Sequence, residues 1–173
     1  MKLNIGCGED IKEGYVNIDN RNLKGVDVIL DLNEKLPFHN NYAEEVLAQD
    51  VMEHLDTIGL LKEIHRILIQ GGQVIIRVPH YSSRHNHIDP THKKQFSVLT
   101  FYNFVKVTNL KHKYYDWSFS KINVRLDFEK GLLLHNYLIE WIVNIHPMML
   151  NLFEATGLHN LFPAQNINVR LIK

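Results

Sequence analysis

The first half of the chain consists of short apolar runs, each closed by glycine or an acidic residue. Lys2–Ile5, Val16–Ile18, Val26–Leu30 and Glu45–Ala48 read as strands. Asp56–Gln70 reads as a helix, because Ile58, Leu61, Ile64 and Leu68 recur at spacings of three and four and form one apolar face. Asp56 is placed to cap that helix and Gly71 to end it. Gln73–Val78 is a β-branched run closed by Pro79, the pattern of a buried strand. From His80 to Ser97 the chain is polar and rich in histidine, which predicts a loop. Ser97 then caps a helix over Val98–Val105, with Phe101, Tyr102 and Phe104 turned inward. Alternation returns in Lys121–Phe128 and Asn166–Ile172, two more strands, and between them lie apolar helices over Leu132–Val143 and Met148–Ala155, interrupted at Pro147.

Strands first, with helices between the later ones, predict an α/β domain spanning residues 1–173, with an antiparallel pairing at its C-terminal strands. The early connections are unusual. A parallel crossover takes at least about 10–12 residues. Gly6–Tyr15 barely meets that, and Asp19–Gly25 does not. The early helices are therefore expected to be reduced to loops, leaving one sheet face bare. The apolar segment Gly131–Phe162 is expected either to cover that face or to pair two copies of the chain as a homodimer.

Composition narrows the reading. Hydrophobic residues make up 45% of the 173 residues, and Lys+Arg and Asp+Glu both number 19, so no net field favours nucleic acid or an anionic membrane. A single cysteine, Cys7, rules out an internal disulfide and suggests a reducing compartment. With no basic-then-apolar leader, a cytoplasmic location is expected. No apolar run reaches the roughly 18–20 residues of a membrane span.

The candidate chemistry starts at the end of the first strand. Gly6-Cys7-Gly8 forms a turn without room for side chains, at the strand end where α/β sheets bind nucleotide-like ligands. Asp19 and Asp31 close the next two strand-like runs, the second strand end being the usual place for a carboxylate that meets ribose hydroxyls. Each has a plainer role available. Cys7 fills space between glycines, the two aspartates end strands, and Glu53 is a structural or helix-start carboxylate. His54 is either a satisfied structural residue or a pocket residue suited to proton transfer. In the loop, His80, His85, His87, Asp89 and His92 have spacings compatible with a metal, with acceptor binding, or with an exposed polar surface. No metal is assigned to them.

These residues carry a resemblance. Gly6-Cys7-Gly8, Asp19 and Asp31, with Leu36-Pro37-Phe38, Asp50-Val-Met-Glu-His-Leu55 and Leu68-Ile-Gln-Gly-Gly-Gln73, resemble the class I S-adenosylmethionine-dependent methyltransferases from about Leu3 to Pro79. Asp89-Pro-Thr-His92, Phe96-Ser97 and the late Phe153-Glu154 and Leu161-Phe-Pro163 look like a compact bacterial and archaeal branch. The chain departs from the pattern at Asn4, where many members carry an acid, and at Asp10, where many carry a third glycine.

The resemblance implies a Rossmann-like, mostly parallel sheet with S-adenosylmethionine as cofactor. Gly6, Cys7 and Gly8 would wrap its methionine part, and Asp19 would take the ribose. Asp31 would take the adenine amine beside the Leu32 backbone. Asp50 and Val51 would line the sulfonium end, with His54 close by. The implied reaction is methyl transfer to an oxygen or nitrogen of a small-molecule or glycan-type acceptor, with His54, Asp89 or His92 as base. Two other readings stay open: a cofactor-binding partner protein without catalysis, and a metal-dependent hydrolase built on the His80–His92 loop.

Overall fold

The computed structural model describes residues 1–106, 115–131 and 133–173. The expected helix start at Leu132 lies outside them. Four strands come first: β1 (Lys2–Ile5), β2 (Val16–Asp19), β3 (Val28–Ile29) and β4 (Ala43–Gln49). After a short 3-10 helix, Met52–His54, come α1 (Thr57–Ile67) and β5 (Leu68–Pro79). Then follow α2 (His85–Ile88), a 3-10 helix Val98–Phe104 and β6 (Lys121–Asp127). Three helices, α3 (His135–Val143), α4 (Pro147–Ala155) and α5 (Leu158–Leu161), lead to β7 (Asn166–Ile172). One sheet holds all seven strands in the order β3-β2-β1-β4-β5-β7-β6. Only β7 runs against its neighbours, pairing antiparallel with both β5 and β6. This is the Rossmann-like, mostly parallel α/β sheet with the antiparallel C-terminal pairing that the sequence predicts.

The early helices are indeed absent: no helix lies between Ile5 and Ala43. The face they would cover is, however, mostly polar. In the observed register Leu3, Ile5, Ile18, Val46, Ala48, Val74, Ile76, Val78, Val124, Leu126, Ile167, Val169 and Leu171 share one side. All are buried in one core with Leu60, Leu61 and Ile64 of α1, Phe101 and Phe104, and Leu150 and Phe153 of α4. The other side is mostly polar: it carries Lys2, Asn4, Asn17, Glu45, Gln49, Gln73, Arg77, Asn168, Arg170, Asn123 and Arg125, with Leu47, Ile75 and Ile172 as its apolar members. The domain therefore has two layers, with the second sheet face mostly polar.

At the start of that polar face the loop after β1 is held by side-chain amides instead of apolar packing. Asn4 Nδ2 donates to Asn17 Oδ1 and to the Asp10 carbonyl, both at 2.9 Å, and Asn17 Oδ1 accepts from the Lys12 N–H at 2.9 Å. This accounts for Asn4 standing where an acid is common. It also overturns the expectation that Gly131–Phe162 covers a bare apolar face. That segment packs at the far edge. Asn144 bonds both backbone groups of Leu126 on the edge strand β6, donating to its carbonyl at 2.8 Å and accepting from its N–H at 2.9 Å.

Other boundaries shift for local reasons. Asp56 caps α1 as expected, accepting the Ile58 N–H at 3.3 Å. The helix nevertheless stops at Ile67, because Leu68 already pairs with Ala43 as strand. Gly71 (φ +77°) and Gly72 form an irregularity within β5, where a Cβ on Gly72 would meet three backbone carbonyls at 3.0–3.2 Å. Ile58 is exposed, and the buried face of α1 is Thr57, Leu60, Leu61, Ile64 and Ile67. The third strand is shorter than Val26–Leu30, and the Val98–Phe104 helix is 3-10.

Candidate active site

The carboxyl ends of β1, β2, β3 and β4 converge on a cavity of about 440 to 620 Å³ in each of two adjoining halves. The half over the glycine turn, about 620 Å³, is lined by Gly6, Asp19, Asn20, Arg21, Asp31, Leu32, Asn33, Asp50, Val51, His54, Leu55, Asp89 and Thr91. That volume lies within the range of small-molecule sites. Gly6 has φ +63°, and a Cβ there would come within 2.3 Å of Val51 Cγ2. The turn can lie against the end of β4 only without a side chain. Such a cradle fits a ligand that needs close backbone approach, as an adenosyl cofactor does.

Asp19 is buried, and its carboxylate organises the turn. Oδ2 accepts from the Gly8 N–H at 2.8 Å, and Oδ1 accepts from the Arg21 N–H at 3.0 Å and Nε at 3.1 Å. Burial alone would raise its pKa, but these hydrogen bonds and the Arg21 charge outweigh burial and hold it below the ordinary value. Asp31 is exposed at the rim, its Oδ1 accepting from the N–H and side chain of Asn33. Cys7 is buried beneath the turn with its sulfur 3.6 Å from the Gly8 carbonyl. Burial, and then the Asp19 charge, push its thiol up, which disfavours a reactive thiolate. Cys7 and Gly8 underlie the cavity without lining it.

The second half, about 440 Å³, is lined by Asp50, Glu53, His54, Arg77, Pro79, His85, Ile88, Asp89, His92, Gln165 and Asn166. Asp50, His54 and Asp89 border both halves. Asp50 has φ +51°, a left-handed conformation uncommon for an aspartate, and its carboxylate is gripped by the Arg77 guanidinium. Asp89 Oδ1 accepts from the Thr91 N–H at 2.8 Å and hydroxyl at 2.6 Å, which lowers its pKa. With its proton given to Asp89, the Thr91 hydroxyl must accept from His54 Nδ1, 2.9 Å away. His54 is thereby held as the Nδ1–H tautomer, with the Nε2 lone pair available.

Beneath them, Glu53 is 1% exposed and neither carboxylate oxygen has a hydrogen-bond partner. Burial, reinforced by the Asp50 charge, raises its pKa to about 7. His92 stands edge-on to His54, ring centroids 4.8 Å apart, and burial, then the His54 charge, lowers its pKa. The other loop histidines do not join them. His80 is fully buried between Ser82 Oγ at 2.7 Å and Glu154 Oε1 at 3.0 Å. His85 Nε2 lies 3.3 Å from Gln165 Nε2, and His87 is exposed. The convergence that a hydrolase built on H-x-H-x-D would need is not formed.

Sequence reasoning missed Arg77, Thr91 and Gln165, which carry no motif. It placed Glu53 in a structural role, because burial without a partner leaves no trace in spacing.

Residues 3–76, from β1 into β5, match the family described as "Methyltransferase domain". No curated protein matches the chain in sequence. Among solved structures, a SAM-dependent methyltransferase from Archaeoglobus fulgidus is similar over 99% of this chain and 85% of that one, at 20% identity and TM-score 0.65. A phosphoethanolamine N-methyltransferase 2 from Haemonchus contortus, in complex with S-adenosyl-L-methionine, is similar over 99% of this chain and 48% of that one, at 18% identity and TM-score 0.60. A SAM-dependent methyltransferase from Thermotoga maritima is similar over 99% and 81%, at 17% identity and TM-score 0.59.

Proposed function

We propose that this chain, an S-adenosylmethionine-dependent methyltransferase by the domain that residues 3–76 match and by its fold, methylates an oxygen or nitrogen of a small-molecule or glycan-type acceptor. The observation that carries the reading is the meeting of two cavities at Asp50, His54 and Asp89. The half over Gly6 suits the cofactor, and the half between His85 and His92 suits the acceptor. When bound, the cofactor supplies a methyl group on a sulfonium, already a strong electrophile. The protein's task is then alignment and proton removal.

Asp31 and the Leu32 backbone would hold the adenine, and Gly6 with the Asp19-ordered turn would hold the ribose and methionine parts. Asp50 and Val51 would border the sulfonium. His54, Asp89 and His92 stand on the acceptor side, and one of them takes the acceptor proton. A calorimetric titration with S-adenosylhomocysteine, run beside methyl transfer to a panel of sugars, phenols and amines, tests this reading. One equivalent bound with transfer to some acceptor is expected. Binding with no transfer to any acceptor would favour the non-catalytic partner protein, and no binding would contradict the reading.

The exposed apolar side of α3 to α5 supports pairing of two copies. Leu134 and Leu161 are 73% exposed, Trp141 and Met148 65%. Such a surface is uncommon on a soluble monomer. It offers no exposed lysine or arginine between 133 and 161 that would draw it to an anionic membrane. Among the described residues no helix is long and apolar enough to cross one.

A further inference from the structure

We propose that Glu53, His54 and His92 bind a divalent cation in the floor of the second cavity, and that the ion holds the acceptor through a hydroxyl, so that the product is a methyl ether. The proposal rests on the methyltransferase reading above and narrows its acceptor to an alcohol or phenol.

Four features support it. First, one ligand atom from each of the three side chains lies within 4.8 Å of the others, and no other such group occurs among the described residues. Second, Glu53 is 1% exposed with both oxygens unpartnered. An unpaired buried carboxylate is costly, and a bound cation removes that cost. Arg77, which faces the same cavity, is committed to Asp50. A protonated Glu53 would lower the charge cost but would still leave the carboxyl group without a partner.

Third, His92 Nε2 lies 3.9 Å from Glu53 Oε1. That is too long for a hydrogen bond. A tetrahedral ion bonded to both at about 2.0–2.2 Å would hold them about 3.4 Å apart, so the pair has to close by roughly half an ångström. Fourth, His54 is already oriented as a ligand. Its Nδ1–H is held by Thr91 Oγ1 at 2.9 Å, and Thr91 by Asp89 at 2.6 Å. Ligating histidines ordinarily donate their second ring N–H in this way. Two imidazoles and one carboxylate suit zinc, iron(II) and similar ions, with positions left open for an acceptor oxygen.

The step balances without another reactant. The hydroxyl bound to the ion becomes more acidic and gives its proton to Asp89, whose Oδ2 lies 3.9 Å from His92 Nε2. The oxygen's electron pair forms the new O–CH3 bond while the C–S bond breaks and its pair returns to sulfur. The products are the methyl ether and S-adenosylhomocysteine, and the proton passes from Asp89 to water. With His54 and His92 on the ion, Asp89 is the base.

The test strips the whole protein with chelator, titrates it with Co2+ followed by visible absorption, displaces the cobalt with Zn2+, and measures S-adenosylhomocysteine binding in parallel. One equivalent of cobalt is expected, with hyperfine-shifted imidazole proton signals from two histidines. Glu53→Gln and His92→Ala should each weaken cobalt at least about a hundredfold while leaving S-adenosylhomocysteine affinity and thermal midpoint near those of the parent. Thr91→Val should weaken it about 10–100-fold. His87→Ala should change nothing. Absence of a stoichiometric cobalt site with S-adenosylhomocysteine binding intact would overturn the proposal, as would a site that survives Glu53→Gln in folded protein. Failure of S-adenosylhomocysteine to bind would overturn the methyltransferase reading instead, and with it the role given to the ion.

Discussion

At the residue scale, the turn after β1 depends on one absent side chain and one present carboxylate. Gly6→Ala places a methyl group 2.3 Å from Val51 Cγ2 at φ +63°. The backbone strain is about 1–2 kcal/mol and the overpacking about 1–3 kcal/mol. Chemical denaturation should therefore show a loss of roughly 2–5 kcal/mol, with Val51→Ala restoring only some of the packing part, because the Val51 Cβ would still lie 2.8 Å from the new methyl group. Asp19→Ala should weaken S-adenosylhomocysteine binding by about 1.5–3 kcal/mol, read by calorimetry, since the Gly8 and Arg21 groups lose their charged acceptor. Equal affinity in that variant would remove Asp19 from the site.

Asp19 also predicts a pH effect. Its folded pKa lies below the ordinary 3.8, so the folded state binds this proton less readily than the unfolded state. Its stabilisation is fully present above that ordinary value and is lost as pH falls from there through the lower folded value. Asp19→Asn should thus be less stable than the parent near neutrality, and the difference should shrink on acidification. A difference that stays constant with pH would show that the charge plays no part. Gly6 and Asp31, which line the cavity, were legible as candidates from spacing, because strand ends recur where the apolar runs stop, whereas Asp50 came only with the resemblance. Glu53 and Thr91 were not, since their roles come from burial and from a hydrogen-bond chain closed across 37 residues between His54 and Thr91.

At the element scale, the sequence held more than its strand pattern. Gln73, Arg77, Asn123, Arg125, Asn168 and Arg170 alternate with the apolar residues of β5, β6 and β7. That alternation marks a sheet with one wet face, as antiparallel sheets commonly have. Reading Gln73–Val78 as buried on both sides led to the expectation of a bare apolar face. The polar register of β1, β4 and β5 removes the need for covering helices, and this is why the short early connections suffice. The strand β6 is instead protected at its edge by Asn144. Asn144→Ala would leave the N–H and carbonyl of Leu126 without their partner at a half-buried edge. A loss of about 1–3 kcal/mol is expected in urea denaturation, with faster amide exchange at Leu126. Unchanged exchange there would contradict the capping role.

At the scale of the whole molecule, the chain combines a one-sided core with an apolar outer surface on α3, α4 and α5. The sequence made that surface visible as an excess of apolar residues, but the choice between covering the sheet and facing outward depended on the sheet's second face being polar. Trp141, 65% exposed, belongs to this outer surface and not to the core. Light scattering at tens of micromolar should find a dimer, and Trp141→Glu should yield a monomer with little change in melting temperature. A monomeric parent would contradict the pairing.

The central claim is that cofactor and acceptor meet where the two cavities join. A crystal structure of the protein with S-adenosylhomocysteine tests it most directly. The account predicts the adenine against Asp31 and Leu32, the Gly6 turn along the ligand, and the sulfur directed at the junction bordered by Asp50, His54 and Asp89. A ligand bound elsewhere, or one whose sulfur faces away from His54 and Asp89, would contradict it.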